Sequence, residues 1–234
     1  MPTLYIVATP IGNLSDMTER GKATLGLVDA ILCEDTRVTS KLLAAYGIRR
    51  TLVAYHQHSD TKRTNEILAM LREGKSLALV TDAGTPGISD PGGMLVEAVV
   101  NEFGSDVAIV PIPGPSAVIA ALSVSGFPAD EFVFLGFPPH KKGRQSFFKR
   151  VAAIESTIVM YESTHRILKT LGEIDEAMRE AMGVKNSERK LVVCRELTKM
   201  YETIYRGTAA EVTEQLKKTS MKGEFVIVLC PIST

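Results

Sequence analysis

The sequence predicts an α/β protein built of two α/β domains, with a mostly parallel sheet in the N-terminal domain and a mixed sheet in the C-terminal one. Three observations carry this prediction. Short apolar runs alternate with helical patterns through the first half of the chain, the order expected of parallel strands joined by crossover helices. The runs are apolar at nearly every position rather than at every second one, which indicates a sheet covered on both faces. After PIPGPSA (111–117), where three prolines and a glycine separate a strand from a helix, the alternation becomes less regular. That stretch marks the joint between domains, predicted as 1–114 and 115–234.

The elements follow in order. LYIVA (4–8) is the first strand, and the helix after it is opened by Asp16 with Glu19 three residues on, a capping-box spacing. AILCE and SKLLAAY, TLVAYH and NEILAMLR, SLALV and MLVEAVV, DVAIVPI and AVIAAL complete five strand and helix pairs. Beyond the joint come FVFLGF, a helix around Phe147 to Ile154, TIVMYE, and a long helix from about Thr164 to Ala181 that Ser163 is expected to cap. LVVCRE and TIYRG then stand in succession, which implies a hairpin and hence an antiparallel part. AAEVTEQLKK supplies a last helix and FVIVLC a last strand.

With 234 residues and 45% apolar content, the chain can bury the cores of two ordinary domains. Lys and Arg number 27 and so do Asp and Glu, so no global field steers the protein to a polyanion. A nucleic-acid role must rest on a local patch. Cys33, Cys194 and Cys230 each lie in an apolar strand-like run without CxxC spacing, so they read as buried thiols of a reducing compartment. LYIVA is too short for a signal peptide, and no apolar run approaches the ~18 residues of a membrane span. A cytoplasmic location is expected.

The stretch VTDAGTPGISDPGG (80–93) places four glycines, two prolines and two aspartates directly after an apolar strand. Glycine permits positive φ and close approach, and proline fixes φ, so this is a loop of imposed shape. It lies at the carboxyl end of a strand in an α/β unit, where open α/β sheets bind ligands. Directly after the first strand, TPIGNLSD (9–16) stands where a dinucleotide fingerprint would lie, and Glu34 follows Gly12 by 22 residues. But GxGxxG is absent, Pro10 removes an amide that a pyrophosphate needs, and no GKS or GKT occurs. Dinucleotide and nucleoside-triphosphate chemistry are thereby disfavoured. His56 and His58 share a strand face but lack a third ligand at suitable spacing, so no metal is expected.

CEDTR (33–37) ends a strand with Glu34, Asp35 and Arg37, either a solvated corner or a polar-substrate site. RELTK (195–199) repeats that pattern. PHKKGRQSFFKR (139–150) is the one basic cluster, a solvated loop or a phosphate-binding patch through Lys141, Lys142 and Arg144. In YESTHR (161–166), His165 and Arg166 are site residues or helix-start polars. Polar or glycine-rich turns thus follow strands 1, 2, 4, 5, 7 and 8, which suggests one cleft lined from both domains.

TPIGNL, EDTR, DAGTPGISDPG, PGPSA, ALSVSG, FLGF, YESTHR, RELTK and GEFVIV, in that order, resemble the tetrapyrrole methylase family from about Leu4 to Val228. The resemblance implies two α/β domains, a homodimer, and S-adenosyl-L-methionine held in the cleft between domains. It implies cofactor contacts from Pro10 and Ile11, from Gly84, Thr85, Pro86 and Ile88, from Ser116 and Ala117, and from Tyr161 and Glu162. In the branch most similar to this chain, the methyl group goes to a cytidine ribose 2′-hydroxyl of small-subunit (16S) ribosomal RNA, so the rRNA or the small ribosomal subunit is the expected partner. Candidates for proton removal and alkoxide stabilisation are Glu34, Asp35 and Arg37 with Arg195, Glu196 and Lys199. Lys141, Lys142 and Arg144 are expected to hold phosphates, with Arg37 and Lys199 near the acceptor ribose. The chain departs from the family at Thr164, where relatives commonly have proline, and ends at Thr234 without the C-terminal helical segment that many members carry. The same fold would serve a methylase of a tetrapyrrole or other small anionic substrate, or a non-catalytic RNA-binding assembly factor; the first loop, TPIGNL, differs from the GxGxGDP-like loop of tetrapyrrole enzymes.

Overall fold

A computed structural model describes residues 1–56, 61–90, 92–182 and 189–232, and His58 lies outside them. The chain forms two compact units, Met1–Ser116 and Ala117–Thr234, dividing two residues beyond the position expected from the sequence.

Unit 1 holds five strands in the order β3-β2-β4-β1-β5: β1 (Thr3–Val7), β2 (Ala30–Cys33), β3 (Thr51–Ala54), β4 (Leu77–Leu79) and β5 (Ala108–Ile112). Every pairing is parallel. All five carboxyl ends therefore lie at one edge. Four helices connect the strands: α1 (Glu19–Leu27), α2 (Thr36–Ala45), α3 (Thr61–Arg72) and α4 (Gly92–Phe103). The fully apolar strands are explained by a core on each face. Ala30 and Leu32 of β2 join Ile67, Leu71, Leu95 and Val99 of α3 and α4. Ile31 and Cys33, pointing the other way, join Leu25 and Leu43 of α1 and α2. A single 3₁₀ turn, Leu14–Asp16, precedes α1, and the cap is Thr18, whose hydroxyl accepts from the Gly21 N–H at 3.0 Å. Asp16 ends the turn instead of opening the helix, which corrects the expected start.

Unit 2 begins with α5 (Ala117–Ser125), the fifth helix of the alternating series. Its sheet runs β6-β7-β10-β8-β9: β6 (Phe132–Phe134), β7 (Thr157–Ser163), β8 (Leu191–Arg195), β9 (Thr203–Gly207) and β10 (Glu224–Leu229). β6 and β7 are parallel and the other three pairings antiparallel, the β8–β9 hairpin among them. One face carries α6 (Arg144–Ala153), α7 (Ile167–Met182) and α8 (Ala209–Lys217) over Ile158, Met160, Val193, Phe225 and Ile227. The other packs α5, through Val118, Ala121 and Leu122, on Val159, Val192, Val226 and Val228. Ser163 does not cap α7; it closes β7, and its hydroxyl accepts from Arg166 Nε at 3.2 Å.

Cys33 and Cys194 are buried free thiols, Cys194 being pushed up to about 11 chiefly by burial, while Cys230 is half-buried. Among the described residues no helix is long and apolar enough to cross a membrane, and no group of three metal-ligating side chains occurs.

Candidate active site

Three loops meet at the carboxyl edge of the unit 1 sheet because β1 lies between β4 and β5. Thr9 and Gly84 exchange main-chain hydrogen bonds, Thr9 N–H to the Gly84 carbonyl at 2.9 Å and Gly84 N–H to the Thr9 carbonyl at 3.1 Å. The buried Thr9 hydroxyl donates to the Thr81 carbonyl at 3.0 Å, tying the end of β1 to the start of the glycine loop. On the other side, the Ala8 N–H donates to Ile112 at 3.2 Å, and the Thr85 hydroxyl to the Pro115 carbonyl at 3.2 Å. Thr9, Thr81, Gly84, Thr85 and Pro115 are thus knitted together, with Ile11 beside Gly84.

Glycine is required at two points. Gly84 has φ +86°, and a Cβ there would sit 3.5 Å from Ile11 Cγ2 and 3.8 Å from the Pro115 carbonyl oxygen. Gly114 approaches Ala8 so closely that a Cβ would come within 2.9 Å of the alanine methyl. Asp90 braces the far side of the loop, its Oδ1 accepting from the N–H groups of Gly87 at 2.6 Å and Gly92 at 3.0 Å. Ile88 is exposed between these supports.

The next strand ends add carboxylates. Asp35 caps α2 by accepting from the Arg37 N–H at 2.8 Å, and takes a two-point bond from the Arg37 guanidinium at 3.0 and 2.6 Å. That side-chain bond to Arg37 holds the Asp35 carboxyl at about 2. Glu34 differs. Partial desolvation raises its carboxyl from the ordinary value, and the charges of Asp82 and Asp90 raise it further, against a lowering by His56. Asp82 is also raised, by burial first and by Asp35, although the Asp35 N–H bond opposes this. Efficient proton abstraction favours a base whose pKa approaches the working pH. By that criterion Glu34 is better suited than Asp35, whose proton affinity is spent on Arg37.

The edge therefore combines main-chain groups with the carboxylates of Glu34, Asp35, Asp82 and Asp90, and the Arg37 guanidinium there is already paired to Asp35. A polyphosphate is unsuited to such a rim. Exposed amides and carbonyls can hold neutral and zwitterionic groups there, while the carboxylates favour a cation. The sequence reading left out Thr9, Asp82 and Asp90; both aspartates stand in the glycine-rich stretch, and a carboxylate two residues before the turn glycine was the available signal.

In unit 2 the predicted residues have other duties. Arg195 is buried, donating from Nε to the Lys222 carbonyl at 2.7 Å and from Nη1 to the Tyr201 carbonyl at 3.0 Å. Glu196 has φ +53° and lies against Gly223, where a Cβ would come within 2.5 Å of its Cγ. Burial would raise the Glu196 carboxyl, but bonds from the Glu224 N–H and Lys199 lower it on balance. Lys199 is shared between Glu196 at 2.9 Å and Glu224 at 2.8 Å. Through these partners Arg195, Glu196 and Lys199 brace the turn after β8.

Arg144 is also corrected. It is 5% exposed, and its guanidinium is spent on Glu173, the Pro139 carbonyl and the Thr170 hydroxyl, so it offers no donor to a phosphate. Lys141 and Lys142 remain exposed without side-chain partners among the described residues. The Glu162 side chain is fully buried, paired to Arg166 at 2.9 Å and accepting from the Thr170 hydroxyl at 2.5 Å. Its carboxylate is committed inside unit 2. Tyr161 is half-buried beside Phe134 and Phe137, and Ala117 opens α5. The Thr164 hydroxyl donates to the Gly223 carbonyl at 2.6 Å and accepts from the Gly223 N–H at 2.7 Å.

A family profile described as Tetrapyrrole (Corrin/Porphyrin) Methylases matches residues 3–213. Ribosomal RNA small subunit methyltransferase I of Synechocystis sp. is 46% identical over 230 residues, a match covering 98% of this chain and 79% of that protein. The protein of the same name from Thermotoga maritima is 43% identical over 229 residues, with 98% of each chain covered. Among solved structures, the methyltransferase CobJ matches with a TM-score of 0.71 at 19% identity, over 99% of this chain and 95% of that one.

Proposed function

The chain belongs to the tetrapyrrole (corrin/porphyrin) methylase family, and we propose that it is an S-adenosylmethionine-dependent methyltransferase acting on a cytidine ribose 2′-hydroxyl of small-subunit (16S) ribosomal RNA. The observation that carries this reading is the near-full-length likeness to proteins named for small-subunit rRNA methylation. Unit 1 supports it with a main-chain loop cluster and an acidic rim suited to a sulfonium.

S-adenosylmethionine supplies an electrophilic methyl group. The chain's own residues do the rest. Pro10, Ile11, Gly84, Thr85, Pro86, Ile88 and Ser116 shape the cofactor seat in unit 1. Much of the acceleration comes from holding the acceptor oxygen in line with the methyl group, since fixing two reactants saves entropy. Glu34 takes the hydroxyl proton, and Arg37, fixed by Asp35, faces the developing oxyanion; such a base contributes ~10²–10⁴-fold. Lys141 and Lys142 hold phosphates of the RNA. The protein acts as a homodimer in the cytoplasm, two copies joining through a symmetric interface.

Labelled methyl transfer tests this reading. Wild-type protein is expected to methylate 16S rRNA or the small subunit, and Glu34→Gln to lower kcat at least 100-fold with unchanged cofactor affinity. Transfer to a tetrapyrrole and not to RNA would establish the small-substrate alternative.

A further inference from the structure

Phe137 has no role in the site described so far. It is 53% exposed, the only phenylalanine among the described residues with so much surface in water. Leaving an aromatic of that size exposed forfeits hydrophobic stabilisation. Yet its loop is fastened on every side. Gly136, at φ +62°, receives the Tyr161 N–H on its carbonyl at 2.9 Å. Arg166 Nη1 donates to the Pro138 carbonyl at 2.9 Å, and Arg144 Nη1 to the Pro139 carbonyl at 2.9 Å. Both guanidiniums are anchored in turn, Arg166 on Glu162 at 2.9 Å and Arg144 on Glu173 at 2.6 Å. The Tyr161 ring supports Phe137 at 5.3 Å between centroids and leans on Phe134 at 5.0 Å. Two prolines follow the ring and restrict the backbone further. A buried ion network thus holds an exposed aromatic in one place.

The stretch of chain that follows it is rich in exposed cations. No acidic residue occurs between Glu131 and Glu155, and Lys141, Lys142, Lys149 and Arg150 are all exposed there. An aromatic platform beside free cations is how single-stranded nucleic acids are held: bases stack on rings while phosphates meet Lys and Arg. The adenosyl group of the cofactor carries no phosphate, so the neighbouring lysines favour a polynucleotide strand as the ring's partner.

We propose that Phe137 is a stacking platform for an unpaired base of the substrate RNA, with Lys141 and Lys142 holding the adjoining phosphates and Glu162, Arg144 and Arg166 acting as positioning residues that keep the ring in place. This rests on the rRNA reading above. A fluorescently labelled, single-stranded, cytidine-containing 12-nucleotide RNA is the binding probe, measured against salt, with S-adenosylmethionine affinity measured separately by calorimetry. Phe137→Ala is expected to weaken RNA binding roughly 5- to 150-fold with an unchanged salt slope. Phe137→Trp is expected to retain binding, because the ring face is preserved. The Lys141→Ala, Lys142→Ala double variant is expected to lower the slope by about 1.4 units, at about 0.7 per single-strand phosphate. Unaltered RNA affinity in Phe137→Ala, with wild-type methylation of rRNA intact, overturns the platform alone. Loss of cofactor affinity in that variant also overturns it and assigns the ring to the adenine. Failure of the wild-type protein to bind or methylate RNA overturns the rRNA reading and the platform together.

Discussion

In unit 1 the loops after β1, β4 and β5 are joined by main-chain hydrogen bonds and the short hydroxyls of Thr9 and Thr85, whereas in unit 2 the ends of β7 and β8 are each braced by ion pairs of arginine, lysine and glutamate side chains. The difference decides what each region tolerates. A main-chain cluster survives most side-chain changes but fails where a glycine conformation is required, as at Gly84. A buried ionic cluster has another weak point: one missing carboxylate leaves guanidiniums without a counter-charge.

The largest effect is therefore expected at Glu162. Glu162→Ala should destabilise unit 2 by about 3–5 kcal/mol, the usual cost of breaking a buried pair, read as a lower urea midpoint. An unchanged midpoint would show that Glu173 and water satisfy Arg144 and Arg166 alone. Next comes Gly84→Val in unit 1. Forcing a β-branched residue to φ +86° costs about 1–2 kcal/mol, with the fold retained and S-adenosylmethionine affinity falling at least tenfold by calorimetry. Normal binding by a folded variant would remove Gly84 from the cofactor seat. Thr164→Val is expected to cost about 1 kcal/mol, because the Gly223 N–H and carbonyl lose their shared hydroxyl.

The smallest effect is electrostatic. Raised carboxyls such as Glu34 and Asp82 contribute stability fully below the ordinary carboxylate range, and that contribution is lost as pH rises through their folded values. Asp82→Asn should therefore raise the thermal midpoint slightly at neutral pH and leave it unchanged in acid. The same substitution removes a charge that raises Glu34, so the acid limb of the kcat profile should move to lower pH. A limb that stays in place would detach Glu34 from proton removal.

Which parts of this were legible in the sequence follows from distance along the chain. Runs such as AILC and LVVCR announce buried strands because both their faces are apolar, and the β8–β9 hairpin follows from two runs in succession. The start of α1 was misjudged because Asp16 and Thr18 are both capping residues; only the structure shows the Thr18 hydroxyl meeting the Gly21 N–H. The charged motifs separate more sharply. EDTR and RELTK look alike, yet Arg37 finds its partner two residues away and stays exposed, while Arg195 finds carbonyls at Tyr201 and Lys222 and is buried. Arg144 reads as part of a basic loop because Thr170 and Glu173 lie 26 and 29 residues downstream. Partners that distant leave no local pattern.

The central claim is methyl transfer to an RNA ribose. The most direct measurement incubates the protein with methyl-tritiated S-adenosylmethionine and naked 16S rRNA, isolated small subunits or whole ribosomes, then digests the RNA to nucleosides. Label is expected in 2′-O-methylcytidine from at least one of these substrates, and its loss with Glu34→Gln. Label confined to a base, or a protein that binds the cofactor and leaves all three RNA substrates unlabelled, would contradict it.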